Sequence, residues 1–318
     1  MIKSKIIATG SYLPEKIVTN HDLSKTVDTC DEWIVERTGI KQRHVAKDGE
    51  LTSDIAVKAA LAALEGSTIK AQDIELIILA TTTPDLTFPA TATTVQAKLG
   101  AKNAFAFDIQ AVCSGFVYAL STADNFIKSG QVKNALVIGA DTLSRIVDWT
   151  DRNTCVLFGD GAGAVLLQAT KEESGIMACS LYSDGSLNNL LKTSDGTSFS
   201  QRSGFIQMQG KEVFKHAVEK MVKSVISSLD KVNLKPENID LLIPHQANLR
   251  ILNAVAEKLK LPTDKVIVTV ENHGNTSAAS IPLALDFANK NKRIKKGDVV
   301  VFEALGGGLT WGSVVVKW

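Results

Sequence analysis

The sequence predicts an α/β layered fold built from two copies of one unit. Three observations carry this: short, near-continuous apolar runs, amphipathic helical stretches between them, and a self-similarity at a nearly constant offset. The runs 76–80 (LIILA), 104–109 (AFAFDI), 135–140 (ALVIGA) and 164–169 (AVLLQA) lack the alternation of a half-exposed strand, so each is expected to be a strand buried on both faces. Residues 115–128 place Phe116, Ala119, Leu120, Ala123, Phe126 and Ile127 on one helical stripe, closed by Ser129 and Gly130. Residues 211–229 carry a similar stripe from Val213 to Leu229. Aligning Ile74 with Ile239, or Leu120 with Leu285, gives an offset of 165; aligning 134–141 (NALVIGAD) with 298–305 (DVVVFEAL) gives 164. A duplicated unit, roughly 1–170 and 171–318, predicts an αβαβα sandwich with a shared interface. Within the second copy, 266–270 (VIVTV) is expected to be a strand running into a glycine-containing turn.

Composition narrows the function. The 318 residues hold 35 Lys and Arg against 34 Asp and Glu, a net charge of +1, so the basic excess of a nucleic-acid binder is missing. No apolar run approaches the ~20 residues that span a bilayer. The first residues show no cleavable secretory signal, and a cytoplasmic protein without membrane partners is expected. Cys30, Cys113, Cys155 and Cys179 lie far apart in the chain and no two form a CxxC, which suits neither a metal site nor a disulfide framework.

Cys113 stands out among these thiols. It follows the strand-like AFAFDI and the turn QAV, and it opens the helix starting near Gly115. Ligands bind at the carboxyl ends of strands in such folds. A helix N-terminus favours a thiolate, so a lowered pKa and a nucleophilic role are expected. Two turns of the second copy interrupt apolar segments with polar groups: His245 in LLIPHQAN, and Asn275 in ENHGNTSAAS. Pseudo-twofold packing of the halves would bring them to the pocket of Cys113, giving a nucleophilic constellation. Taken alone, His245 could equally be a satisfied core histidine and Asn275 a turn residue. The triple glycine of GGGLTWG (306–312) permits close backbone approach to a ligand. GDGAGA (159–164) lacks the helix context of a dinucleotide-binding loop.

Taken together, TCDEWIVERTGI (29–40), AVCSGF (111–116), DRNTCVLFGDGAGA (151–164), IPHQANLRI (243–251), HGNTSAAS (273–280) and GGGLTWGS (306–313) resemble β-ketoacyl-acyl carrier protein synthase III, the initiating condensing enzyme of type II fatty acid synthesis. The resemblance covers the whole chain. It implies a thiolase-like fold, a homodimer, and condensation of a short acyl-CoA with malonyl-acyl carrier protein, without a cofactor. It makes Cys113 the acylated nucleophile, His245 and Asn275 the pair acting on the malonyl group, and Gly307 the partner of the Cys113 N–H in an oxyanion hole. It maps coenzyme A to Thr29, Trp33, Arg37, Arg152, Gly210, Phe214 and Asn248, with the adenine sandwiched between Trp33 and Arg152. Carrier-protein contacts would fall on Gln246, Ala247, Asn248, Leu249, Arg250 and Lys215; Glu257 beside Lys258 departs from the family, which often has a second lysine there. Phe88, reaching over from a partner subunit, would shorten the acyl pocket and favour acetyl or propionyl primers. An acyltransferase that does not condense, or a silent acyl-binding subunit, would preserve less of this constellation.

Overall fold

The computed structural model describes residues 2–318. Two main sheets form. The first contains β1 (Lys3–Tyr12), β2 (Leu76–Ala80), β3 (Phe105–Ile109), β4 (Asn134–Thr142) and β5 (Asp160–Thr170), in the order β1-β5-β4-β2-β3. The second contains β6 (Gly175–Ser183), β7 (Leu241–Pro244), β8 (Val299–Gly306) and β9 (Thr310–Lys317), in the order β7-β8-β9-β6. Strand β2 runs parallel to β3 and β4, and β7 runs parallel to β8.

Helices complete five layers. Between the sheets lie α4 (Gly115–Lys128) and α7 (Ser280–Lys290), whose Phe116, Leu120, Ile281 and Leu285 share one core with Val137 and Val165 of the first sheet and Ile243 and Phe302 of the second. The far face of the first sheet is covered by α2 (Thr52–Glu65) and α3 (Thr91–Leu99), and that of the second by α5 (Gly210–Asp230) and α6 (Leu249–Lys258). In β2, Leu76, Ile78 and Ala80 face the middle layer while Ile77 and Leu79 face the outer helices, which is why its sequence shows no alternation. A further cluster joins Ile34 of α1 (Asp31–Thr38) and Ile40 to Leu143, Cys155 and Phe158, beside the strand ends.

The duplication is visible in the register. Ile78 pairs with Val137 in the first sheet, and Ile243 pairs with Phe302 in the second. Both members of the second pair follow those of the first at the same offset, 165. The offset of 164 expected for β4 against β8 is therefore one residue short, a slip that would turn every side chain to the wrong face. The first residues of α4 and α7, Gly115 and Ser280, keep the same spacing. Just before them, Val112 (φ 49°) and Ser277 (φ 52°) are matched in the same way, and both take the left-handed backbone that residues with a Cβ avoid. Gly139 lets the second of these turns lie against β4, since a Cβ there would sit 2.2 Å from the Ala278 carbonyl oxygen.

Two expected strands differ. Residues 105–109 form an edge strand paired only to β2, with Phe105 exposed, instead of a strand buried on both faces. Residues 266–270 make a single bridge, Val266 to Leu242, and Val270–His273 forms a short helical turn. The chain there is pulled off the sheet edge by Gln246, whose side-chain oxygen accepts the N–H groups of Thr269 and Val270 at 2.8 and 3.1 Å.

Candidate active site

Cys113 occupies a tight 3-10 turn, Val112–Ser114, between β3 and α4. Ser114 fastens this turn to the glycine-rich one: its hydroxyl contacts the Ala111 carbonyl and the Thr310 hydroxyl, both at 2.8 Å, and Thr310 in turn bonds the Ala111 and Gly307 carbonyls at 3.0 and 3.2 Å. Gly306 makes the approach possible, because a Cβ there would lie 2.8 Å from the Cys113 nitrogen. Among the described residues, no turn or loop bond to a backbone carbonyl is made by the Gly307 N–H.

The thiol is 4% exposed, and burial pushes it up to about 12; the Ser277 side chain pulls it down and the nearby Asp141 charge pushes it up. The lowered pKa expected from a helix N-terminus is not what this environment produces. Desolvation of the thiolate, the largest cause, favours the protonated thiol.

His245 directly follows β7, its N–H held by the Glu303 carbonyl at 2.8 Å. It is 2% exposed, and burial lowers its pKa to about 3, so the ring is neutral at physiological pH. Its Nδ1 lies 2.7 Å from the Ser280 hydroxyl at the start of α7. Asn275 is buried as well, and its backbone bridges to Leu157 and Gly159. Its Oδ1 accepts the Ser277 N–H at 2.9 Å, which leaves the side-chain NH2 as its donor.

Cys113, His245 and Asn275 wall one cavity of about 440 Å³. Cys113 also lines a second cavity of about 830 Å³, bounded by Leu86, Thr87, Ile206 and Ser277. The sulfur thus sits where two cavities meet, with the histidine and asparagine in the smaller one.

The remaining expected site residues divide. Arg37, Gly210, Phe214, Ala247, Asn248 and Arg250 line the smaller cavity; Thr29, Trp33, Arg152, Leu249 and Lys215 do not. Trp33 and Arg152 do meet, but with no room between them. The Arg152 guanidinium carbon is 4.9 Å from the Trp33 ring centre, and that of Arg37 is 4.5 Å away. An intercalated aromatic needs about 7 Å, two van der Waals gaps of about 3.5 Å each. The cations satisfy the ring themselves, and Arg152 is further held by the Asp28 carbonyl at 2.8 Å.

Gln246, expected among the carrier-protein contacts, faces inward in this chain. It is fully buried, and its amide also donates to Pro244 and Ile267 at 2.8 and 3.1 Å. Asn248 caps α6 through the Ile251 N–H at 3.0 Å, and Leu249 packs against Gly39. Arg250 and Lys215 are exposed, with Arg250 5.9 Å from the Phe214 ring centre. Phe88 is 82% exposed and lines neither cavity of its own chain, which excludes ordinary core packing for it. Sequence reasoning missed Lys211, an exposed cation on the smaller cavity's wall, and the buried hydroxyls of Ser277 and Ser280. The apolar stripe of 211–229 drew attention away from the first, and the plain serines gave no signal.

A thiol turn at the strand ends of a duplicated αβαβα sandwich defines a thiolase-like acyl-transferring enzyme. Residues 107–185 match the family described as 3-oxoacyl-[acyl-carrier-protein (ACP)] synthase III, and residues 229–318 match its C-terminal part. The chain is 58% identical over 318 residues to the beta-ketoacyl-[acyl-carrier-protein] synthase III of Ehrlichia canis, covering all of both chains. It is 57% identical over 322 residues to that of Paramagnetospirillum magneticum, covering 100% of this chain and 99% of the relative. The crystal structure of 3-oxoacyl-[acyl-carrier-protein] synthase III from Aquifex aeolicus superposes with a TM-score of 0.95 at 52% identity, covering 99% of this chain and 100% of that one. The chain belongs to the β-ketoacyl-[acyl-carrier-protein] synthase III family, the acyltransferases that carry out the initiating condensation of fatty acid synthesis.

Proposed function

We propose that Cys113, His245 and Asn275 divide a decarboxylating Claisen condensation between them, with acetyl-CoA as primer and malonyl-acyl carrier protein as extender. The observation that carries this is the single cavity walled by all three side chains. In the first half-reaction the Cys113 sulfur attacks the primer thioester, and the Cys113 and Gly307 N–H groups stabilise the tetrahedral oxyanion. The C–S bond to CoA breaks, and CoA departs as a thiol with the proton that Cys113 gives up. In the second, the His245 Nε2–H and the Asn275 NH2 donate to the malonyl thioester oxygen. Loss of CO2 leaves an enolate whose charge gathers on that oxygen, so the donors stabilise the transition state more than the ground state. The enolate carbon then bonds the acyl carbon of acyl-Cys113, the C–S bond breaks, and the sulfur takes up a proton.

Arg37, Lys211 and Arg250 give the smaller cavity a cationic wall suited to the phosphates of CoA and of the carrier's prosthetic arm, with Arg250 and Lys215 meeting the acidic carrier. Adenine binds Trp33 after Arg152 swings aside. A second copy pairs along the edge strand β3 and brings its Phe88 over the larger cavity, limiting the primer to two or three carbons. The exposed Phe105 and Phe88, and the position of Leu86 and Thr87 on that cavity's wall, support this dimer. In this reading the reaction takes place in the cytoplasm, where its carrier-protein partner would be met.

The test separates the half-reactions. His245→Ala and Asn275→Ala should each still gain an acetyl group on Cys113 by intact mass, while CO2 release from malonyl-acyl carrier protein falls on the order of 100-fold. Equal loss of acetylation and CO2 release would refute this division of roles.

A further inference from the structure

We infer that Ser280 is a positioning residue that sets which ring nitrogen of His245 carries the proton, keeping Nε2–H as the donor into the cavity. The inference rests on the role proposed above for His245. The Ser280 hydroxyl is 2% exposed and touches two groups: it accepts the Gln246 N–H at 3.2 Å, and it lies 2.7 Å from His245 Nδ1. Among the described residues, Nδ1 is the only hydrogen-bond acceptor recorded for its O–H. If Nδ1 carried the proton, the oxygen would accept two N–H groups and its own proton would be stranded where water does not reach. If Nδ1 is bare, every group is satisfied, and the ring's remaining proton must sit on Nε2.

The surrounding geometry keeps this arrangement stiff. The Gln246 side chain, with four hydrogen bonds, fixes the peptide that feeds Ser280. Ser280 is the first residue of α7 and continues directly from the 3-10 turn Ser277–Ala279, with its own N–H held by the Ser277 carbonyl. Its counterpart in the first half, at the start of α4, is Gly115, which has no side chain. The hydroxyl is thus present in the half that carries the histidine and missing at the equivalent place beside the thiol.

The experiment uses the whole protein, 15N-labelled at its five histidines, with His245→Gln to assign the ring. The expected spectrum shows a neutral His245 with a bare, hydrogen-bonded Nδ1 and a protonated Nε2. In Ser280→Ala the Nδ1 signal should move toward a mixture of tautomers. The kcat for CO2 release from malonyl-acyl carrier protein should fall on the order of ten- to a hundredfold with little change in KM, as when an orienting partner of a catalytic histidine is lost. Acetylation of Cys113 by acetyl-CoA should stay within about twofold, and Ser280→Thr, which keeps the hydroxyl, should restore most of the CO2 release. A wild-type spectrum with the proton on Nδ1 overturns the inference whatever the variants do, and so does a Ser280→Ala protein that releases CO2 at the normal rate or loses acetylation equally. Should Ser280→Ala fail to fold, the wild-type spectrum and Ser280→Thr decide. If His245→Ala leaves CO2 release intact, the proposed role of the histidine fails, while the tautomer still stands or falls on the spectrum alone.

Discussion

Gly306→Ala should slow acylation of Cys113 without touching any side chain of the site. The added methyl would meet three backbone atoms: the Ala111 oxygen at 2.7 Å, the Cys113 nitrogen at 2.8 Å and the Ser114 nitrogen at 3.0 Å. Backbone cannot rotate away as a side chain tip does. Ordinary contact begins at 3.4 Å, so the nucleophile's turn must withdraw by about 0.6 Å (3.4 less 2.8). A misplacement of about 1 Å can cost about 100-fold in rate, so the expected loss in acetylation rate is on the order of tenfold. Overpacking adds about 1–3 kcal/mol of destabilisation. The assay is the time course of the acetyl adduct by intact mass, alongside urea unfolding. Gly185→Ala, where a methyl meets nothing within 4 Å, is the control. A Gly306→Ala protein that acetylates at the wild-type rate would show that the glycine-rich turn does not hold the thiol in place.

Alkylation of Cys113 by iodoacetamide should rise about tenfold per pH unit from about pH 7 to 9.5 without levelling, because burial keeps the sulfur protonated through that range; a plateau below about pH 8 would mean a stabilised thiolate. Gln246→Ala strands the Thr269 and Val270 N–H groups, so it should lower folding stability by about 2–4 kcal/mol in urea titrations. An unchanged unfolding midpoint with a raised KM for the carrier protein would return this residue to the docking surface. Phe105→Lys on the open edge of β3 should convert a dimer to a monomer in light scattering, since an edge strand is blunted by a charge; an unaltered mass would place the dimer contact elsewhere.

The layered fold and the thiol–histidine–asparagine cluster were legible because each left a mark in one dimension. Strand β2 is apolar on both faces, so its run has no gaps, and the duplicated halves repeat themselves at a fixed spacing. What escaped depends on contacts distant in sequence. The apolar residues of 105–109 read as a buried strand because composition does not distinguish the centre of a sheet from an edge. Residues 266–270 read as a strand because the buried amide that captures the following backbone lies far back in the chain, at Gln246. That same glutamine, next to a candidate catalytic histidine, looked functional by proximity, and only its four hydrogen bonds reveal a bracing part. The acidity of Cys113 was misjudged because a helix end is visible in sequence while the depth of burial is not.

The middle layer has a consequence for how the chain is made. Helix α4 packs on β4 and β2 from its own half and on β9, β8 and β6 from the other. β9, which a ribosome delivers last of all these strands, slots between β8 and β6 rather than onto a rim. A nascent chain that has emerged through β5 already carries its thiol, yet one flank of the helix behind it stays bare until the final strand is threaded. During translation the sulfur therefore leaves the ribosome before the strand that completes the layer around its helix.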